Sequence, residues 1–245
     1  MLFIKNSYLC KTNAITSVIM ESVLFHGSWK VVEFPTKEGG NPFNDYGQGF
    51  YCSPDIELAR EWACSEKPGA FVNHYSFEPS FNLRECNLCG KEYNVLNWLA
   101  VLMNNRVFET RHSVPEAVKS YILDEFLPDL SGYDIIRGYR ADDSYFSIAS
   151  AFIEGSIPLR QLERALRLGK LGEQVFVQST KAFEALTFVS AEPVDRDLYL
   201  CRRINRDRKA RETFSRMKGE ALREDDVVAL DIVRGKWRNN DERLR

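Results

Sequence analysis

Leu24-Phe25-His26-Gly27-Ser28, followed about 25 residues on by Gly47-Gln48-Gly49-Phe50-Tyr51-Cys52-Ser53, decides how this chain is read. Each is an apolar, strand-like stretch carrying one polar ring that can face a cleft. Between them, Trp29 to Phe34 reads as a second extended piece, and the Pro-, Gly- and Asn-rich run from Pro35 to Gly49 as a loop. Ser53-Pro54-Asp55 opens a helix, with Ser53 as expected N-cap, Pro54 at the first helical position and acids at the positive end of the dipole. That helix is predicted to run to about Cys64, with Ile56, Ala59, Trp62 and Ala63 as its apolar stripe.

Further along, Phe71 to Phe77 alternates like a strand. Residues 93 to 107 and Pro115 to Phe126 carry helical spacing, Tyr133 to Tyr139 returns to strand, and Asp142 to Glu154 and Leu159 to Leu168 are helical again. Gln174 to Gln178 and Phe188 to Pro193 are the last expected strands. Strands and helices therefore alternate irregularly. That order predicts an α+β fold, not a doubly wound sheet.

The 245 residues, 44% hydrophobic and 12% aromatic, suffice for a buried core and argue against disorder. A net charge of −2 points to neither nucleic acid nor membrane. No apolar run reaches the roughly 18 to 20 residues of a membrane span, and residues 1 to 20 lack a signal-peptide core. The six cysteines suggest no disulfide framework, so a cytoplasmic protein with reduced thiols is expected. Cys86 and Cys89 have the spacing of half a zinc site, but no second pair follows, and no metal is expected. The expected organisation is an extension over 1–20, one domain over 21–198, and a charged, mainly helical extension over 199–245. Arg202 to Arg223 holds nine basic and three acidic residues, a pattern that reads as a solvated basic helix or a surface for an acidic or nucleic-acid partner.

The two opening motifs resemble those of the ADP-ribosyltransferase superfamily, His-Tyr class. Tyr133-Asp134-Ile135-Ile136-Arg137-Gly138, Ala141-Asp142-Asp143 and Gln174-Val175-Phe176-Val177 extend the likeness to a bacterial family of unknown function placed in that superfamily, over roughly residues 22 to 190. The resemblance implies an ADP-ribosyltransferase-like split β-sandwich that takes NAD as substrate. It further implies that His26 bonds a ribose, the Gly27 backbone grips the carboxamide, Tyr51 stacks on nicotinamide, and Ser28 adds a hydroxyl. Asn44 and Gly49 belong to the Asn-x-x-Gly-x-Gly stretch, whose glycines let backbone approach a ligand. Such proteins often act as toxins on a macromolecular acceptor, protein or nucleic acid, which implies a cognate antitoxin.

The third motif of the superfamily normally carries a glutamate, and the matching residue here is Gln174. An amide bonds a hydroxyl but cannot offset charge, and alternation turns Glu173 to the opposite face. Asp142 and Asp143 are therefore the expected source of a carboxylate, with helix capping as their plainer role. Arg137 and Arg140 are candidates for the pyrophosphate. Two other readings stay open: a module that holds NAD, ADP-ribose or an RNA end without catalysis, and an NAD glycohydrolase.

Overall fold

The structure, a computed structural model, describes residues 22–78, 82–108, 110, 112–141 and 144–244. It is an α+β fold. Strand β1 (Ser22–Ser28) is the edge of a three-stranded antiparallel sheet in the order β1-β3-β7, with β3 at Phe71–Phe77 and β7 at Leu186–Pro193. Strands β2 (Phe50–Cys52), β6 (Glu173–Val177), β5 (Ile135–Tyr139) and β4 (Glu85–Asn87) form the second sheet in that spatial order. All its pairs are antiparallel except β4 with β5.

Side-chain alternation explains how the second sheet is buried on both faces. Ile135, Val175 and Val177 point to one face and join Leu24, Phe50, Cys52, Tyr75 and Phe77 between the sheets. Ile136 and Phe176 point to the other, into a larger core built by α2 (Val95–Asn105), α3 (Ser113–Phe126), α4 (Ser144–Ile153) and α5 (Leu159–Ala165). Tyr51 packs against that second core. Gln174 lies two positions from Phe176, so it shares the face of Tyr51.

The two sheets meet at one seam. Phe25 and Ser53 exchange both backbone hydrogen bonds, each 2.8 Å, as an isolated antiparallel bridge. This bridge corrects the expected start of helix α1 (Ile56–Ala63). Ser53 is held extended by it and cannot cap, so its Oγ accepts from the amide of Asp55 at 3.0 Å. Asp55 is the N-cap instead, accepting from the Glu57 amide at 2.8 Å. Trp29 to Phe34 forms no strand. It is a loop clamped by the buried Asn73, whose Oδ1 accepts from Val32 N and whose Nδ2 donates to the carbonyls of His26 and Lys30.

The short α6 (Thr180–Glu184) lies between β6 and β7, and helix α7 (Arg196–Lys218) is followed by the short α8 (Ala229–Arg234). Nine basic and three acidic residues give α7 a net +6 against −2 for the whole chain, which leaves −8 for the remainder. One face of α7 docks on the acidic residues of α1. Arg202 pairs with Glu57 at 2.8 Å, Arg206 pairs with Glu61, and the Tyr199 hydroxyl donates to Glu57. Met217 near the end of α7, and Ala229, Ile232 and Trp237 beyond it, join the same core as α2 to α5. The polar side agrees: Asn97, buried in α2, donates to Asn239 Oδ1 and to the Phe126 carbonyl, both at 2.8 Å. The C-terminal segment is thus packed into the body of the fold. Among the described residues, no helix is long and apolar enough to cross a membrane.

Candidate active site

At the seam a cleft of about 200 Å³ opens, lined by His26, Gly27, Asn44, Asp45, Tyr51, Trp62, Arg106, Arg140, Ala141 and Gln174. Its strand-borne wall follows from the bridge. His26 Nδ1 lies 2.7 Å from the Tyr51 carbonyl oxygen. A carbonyl only accepts, so Nδ1 carries the proton and Nε2 is left as an acceptor. Burial pushes the imidazole pKa down to about 4, against the opposing pull of the Tyr51 carbonyl, so the ring is neutral near pH 7.

Gly27 is required by packing as well as by any ligand. A Cβ there would collide with the Ala59 carbonyl oxygen and stand 2.6 Å from the Ala63 amide, because α1 lies directly on the strand. Backbone direction alternates along β1, and the N–H and C=O of Phe25 point to Ser53. Those of Gly27 therefore point to the same edge, toward the cleft rather than toward β3.

Tyr51 is fixed at its hydroxyl, which accepts from Tyr46 N at 3.0 Å and donates to the Gly47 carbonyl at 2.7 Å. Its ring packs on Phe176, centroids 4.8 Å apart. Burial raises the phenol pKa, so Tyr51 offers a ring and not a proton. The loop that receives this hydroxyl turns at Gly47, whose φ of +88° is one that glycine adopts without strain.

The opposite wall is made of loops and charge. Asp45, 3% exposed, accepts at Oδ2 from the Ala141 amide at 2.9 Å and from Gln174 Nε2 at 2.7 Å. Its Oδ1 is ion-paired with Arg106, which follows α2 and also donates to the Ala141 carbonyl at 2.9 Å. Gln174 Nε2 bonds the Tyr139 carbonyl as well, at 3.1 Å. The Arg140 guanidinium lies over the Trp62 ring, 3.8 Å from its centroid.

The structure thus brings His26, Gly27, Asn44, Tyr51 and Gln174 to one cleft. Ser28 and Gly49 are not among its lining residues. Ser28 Oγ accepts from the Lys30 amide at 3.4 Å, and Gly49 lets the chain pass Phe176 and Val177, which a Cβ would strike. Asp142 and Asp143 lie outside the described residues. Of the two arginines singled out in the sequence, Arg140 lines the cleft, whereas Arg137 bonds Glu85 at 2.7 Å. Trp62, read as core from its helical spacing, is half-buried and lines the cleft. Sequence reasoning missed Asp45 and Arg106 as a pair. The only signal for Asp45 was its place two residues before Gly47, and Arg106 had none, since their partnership spans 61 positions. Cys86 donates to the Tyr93 hydroxyl at 3.3 Å, and no cluster suited to a metal occurs among the described residues.

The sequence profile described as "Protein of unknown function (DUF3990)" matches residues 22–188, more than half of the chain. The chain belongs to the DUF3990 family. The match begins at β1 and ends within β7, so every residue lining the cleft falls in the DUF3990 region, whereas α7 and α8 lie beyond it. No curated protein and no solved structure matches the chain.

Proposed function

We propose that this DUF3990 protein is an NAD-dependent mono-ADP-ribosyltransferase that modifies a macromolecular acceptor, and that it belongs to the ADP-ribosyltransferase superfamily. The observation that carries this reading is the convergence of a neutral His26, the Gly27 backbone edge and the Tyr51 ring on one cleft. Those three groups offer, within one cavity, an acceptor for a ribose hydroxyl, donors and acceptors for a carboxamide, and an aromatic wall. At about 200 Å³ the cleft is smaller than the roughly 300–1,000 Å³ that encloses a whole drug-sized ligand. It suits the nicotinamide end of a dinucleotide, the rest passing the point where Arg140 stands on Trp62.

The reaction breaks the bond between the ribose C1′ and the nicotinamide nitrogen. The bonding pair goes to that nitrogen and neutralises the pyridinium, the acceptor's nucleophile bonds C1′, and one proton is released. Positive charge builds on the ribose on the way, and groups that meet it more strongly than they meet the ground state accelerate the step. The net +6 of α7 favours an acceptor or a neutralising antitoxin that carries negative charge.

The test is incubation of the purified protein with NAD labelled in the adenylate half, alone and with cell extract. The expected result is nicotinamide release with label on macromolecule. Free ADP-ribose as the sole product makes the protein an NAD glycohydrolase, and binding without nicotinamide release makes it a non-catalytic module. Absence of both binding and release overturns the NAD reading.

A further inference from the structure

Among the described residues that line the cleft, Asp45 is the one acid. Every contact on its oxygens is a donor: Ala141 N and Gln174 Nε2 on Oδ2, the Arg106 guanidinium beside Oδ1. A carboxylate offers about four acceptor sites; three donors meet Asp45, and Oδ1 is held in the ion pair with Arg106. Asp45 is thus fixed in the wall of the cleft with acceptor capacity beyond the donors that hold it.

Gln174 acquires a meaning from the same geometry. Its Nε2 spends both hydrogens, one on Asp45 at 2.7 Å and one on the Tyr139 carbonyl at 3.1 Å. A glutamate at this position would set a second carboxylate within 2.7 Å of the first and point its oxygen at a carbonyl. Two carboxylates at that separation do not both ionise. A glutamate at position 174 would therefore have to share one negative charge with Asp45.

We infer that Asp45 is the carboxylate of the site, accepting a hydroxyl of the nicotinamide ribose and facing the cation that forms there, with Gln174 as the positioning residue that aims it. This rests on the NAD reading above. Asp45 forms no bond and moves no proton in the step. The C1′–N pair leaves with nicotinamide.

The experiment compares the full-length protein with Asp45→Asn and Gln174→Glu, each confirmed folded by circular dichroism, in nicotinamide-release kinetics and in urea unfolding from pH 5 to 8. Asp45→Asn should lower kcat by ~100-fold or more and change KM for NAD by less than ~5-fold, as expected when the lost interaction matters mainly in the transition state. Gln174→Glu should lose turnover too, although it adds an acid. Its urea midpoint should fall as pH rises from 5 to 8, because the folded state holds a proton that the unfolded state has released. A folded Asp45→Asn protein with turnover within ~3-fold of the parent overturns the assignment, and so does a Gln174→Glu protein that gains activity. If Asp45→Asn does not fold, the Gln174→Glu arm decides alone. If the parent neither binds nor cleaves NAD, the catalytic half falls with the NAD reading. The shared-charge half is then judged by the pH dependence of Gln174→Glu, which a flat profile overturns.

Discussion

The two walls of the cleft are held by different physics. His26, Gly27 and Tyr51 sit on or beside strands and are placed by ladder pairing, backbone direction and the close approach of α1. Asp45, Arg106, Arg140 and Gln174 are drawn from two loops, a strand and the end of a helix, and are placed by charge and charge-assisted hydrogen bonds. A wall of the first kind fails when shape changes, and a wall of the second kind fails when charge changes.

The largest effect should come from the strand wall. Gly27→Val forces a side chain against the Ala59 carbonyl and the Ala63 amide, which are backbone groups with nowhere to yield. We expect a loss of ~4 kcal/mol or more, among the most damaging classes of substitution. A urea midpoint unchanged from the parent would show that α1 is not seated as described. Next is the charged wall. Arg106→Met removes the cation paired with the buried Asp45, and breaking a buried pair from one side costs about 3–5 kcal/mol. The pairing predicts that Asp45→Asn combined with Arg106→Met is less damaging than the single Arg106→Met change, measured as a double-mutant cycle.

These two predictions also mark what the sequence disclosed. The strand wall was legible because each stretch reads locally as a strand with one polar ring, and the resemblance of the two motifs, rather than alternation, is what joined His26 and Tyr51 in one site. Gln174 came from the same motif match, and its face follows from its spacing to Phe176. The charged wall was not legible, because the bond between Asp45 and Arg106 has no period and no fixed spacing. Short elements were missed for a related reason. Glu85–Asn87 and Thr180–Glu184 are too brief for a pattern, and α8 shows its role only through Ala229 and Ile232, whose burial depends on neighbours far away in sequence. The basic composition of α7 suggested a solvated helix and concealed its ion pairs with α1.

A smaller effect separates the walls by pH. His26 keeps its proton off down to pH about 4 in the fold, because burial disfavours the cation, and takes one up near 6.5 when unfolded. Between those values the unfolded state binds more protons, so stability falls as pH drops from 6.5 toward 4. The whole window is worth at most roughly 3 kcal/mol. His26→Gln should flatten that slope in urea titrations, and a slope equal to the parent's would assign the effect to another group. The smallest effect is expected at Ser28, whose hydroxyl accepts only a long bond from Lys30 among the described residues. Ser28→Ala should move stability by less than ~0.5 kcal/mol and NAD affinity by less than ~2-fold.

The burial of Trp237, 7% exposed in the core that also holds Tyr46 and Phe176, has a consequence for timing. A growing chain emerges from its N-terminus, and Trp237 follows Gln174, the last residue to line the cleft, by 63 positions. At roughly 5–20 residues per second, the cleft's described lining residues are all synthesised about 3 to 13 seconds before the last buried side chain of the core behind them. During that interval the ribosome carries a cleft in sequence but not yet in rigidity, and its maturation is clocked by the C-terminal helices rather than by the strands that bear the site.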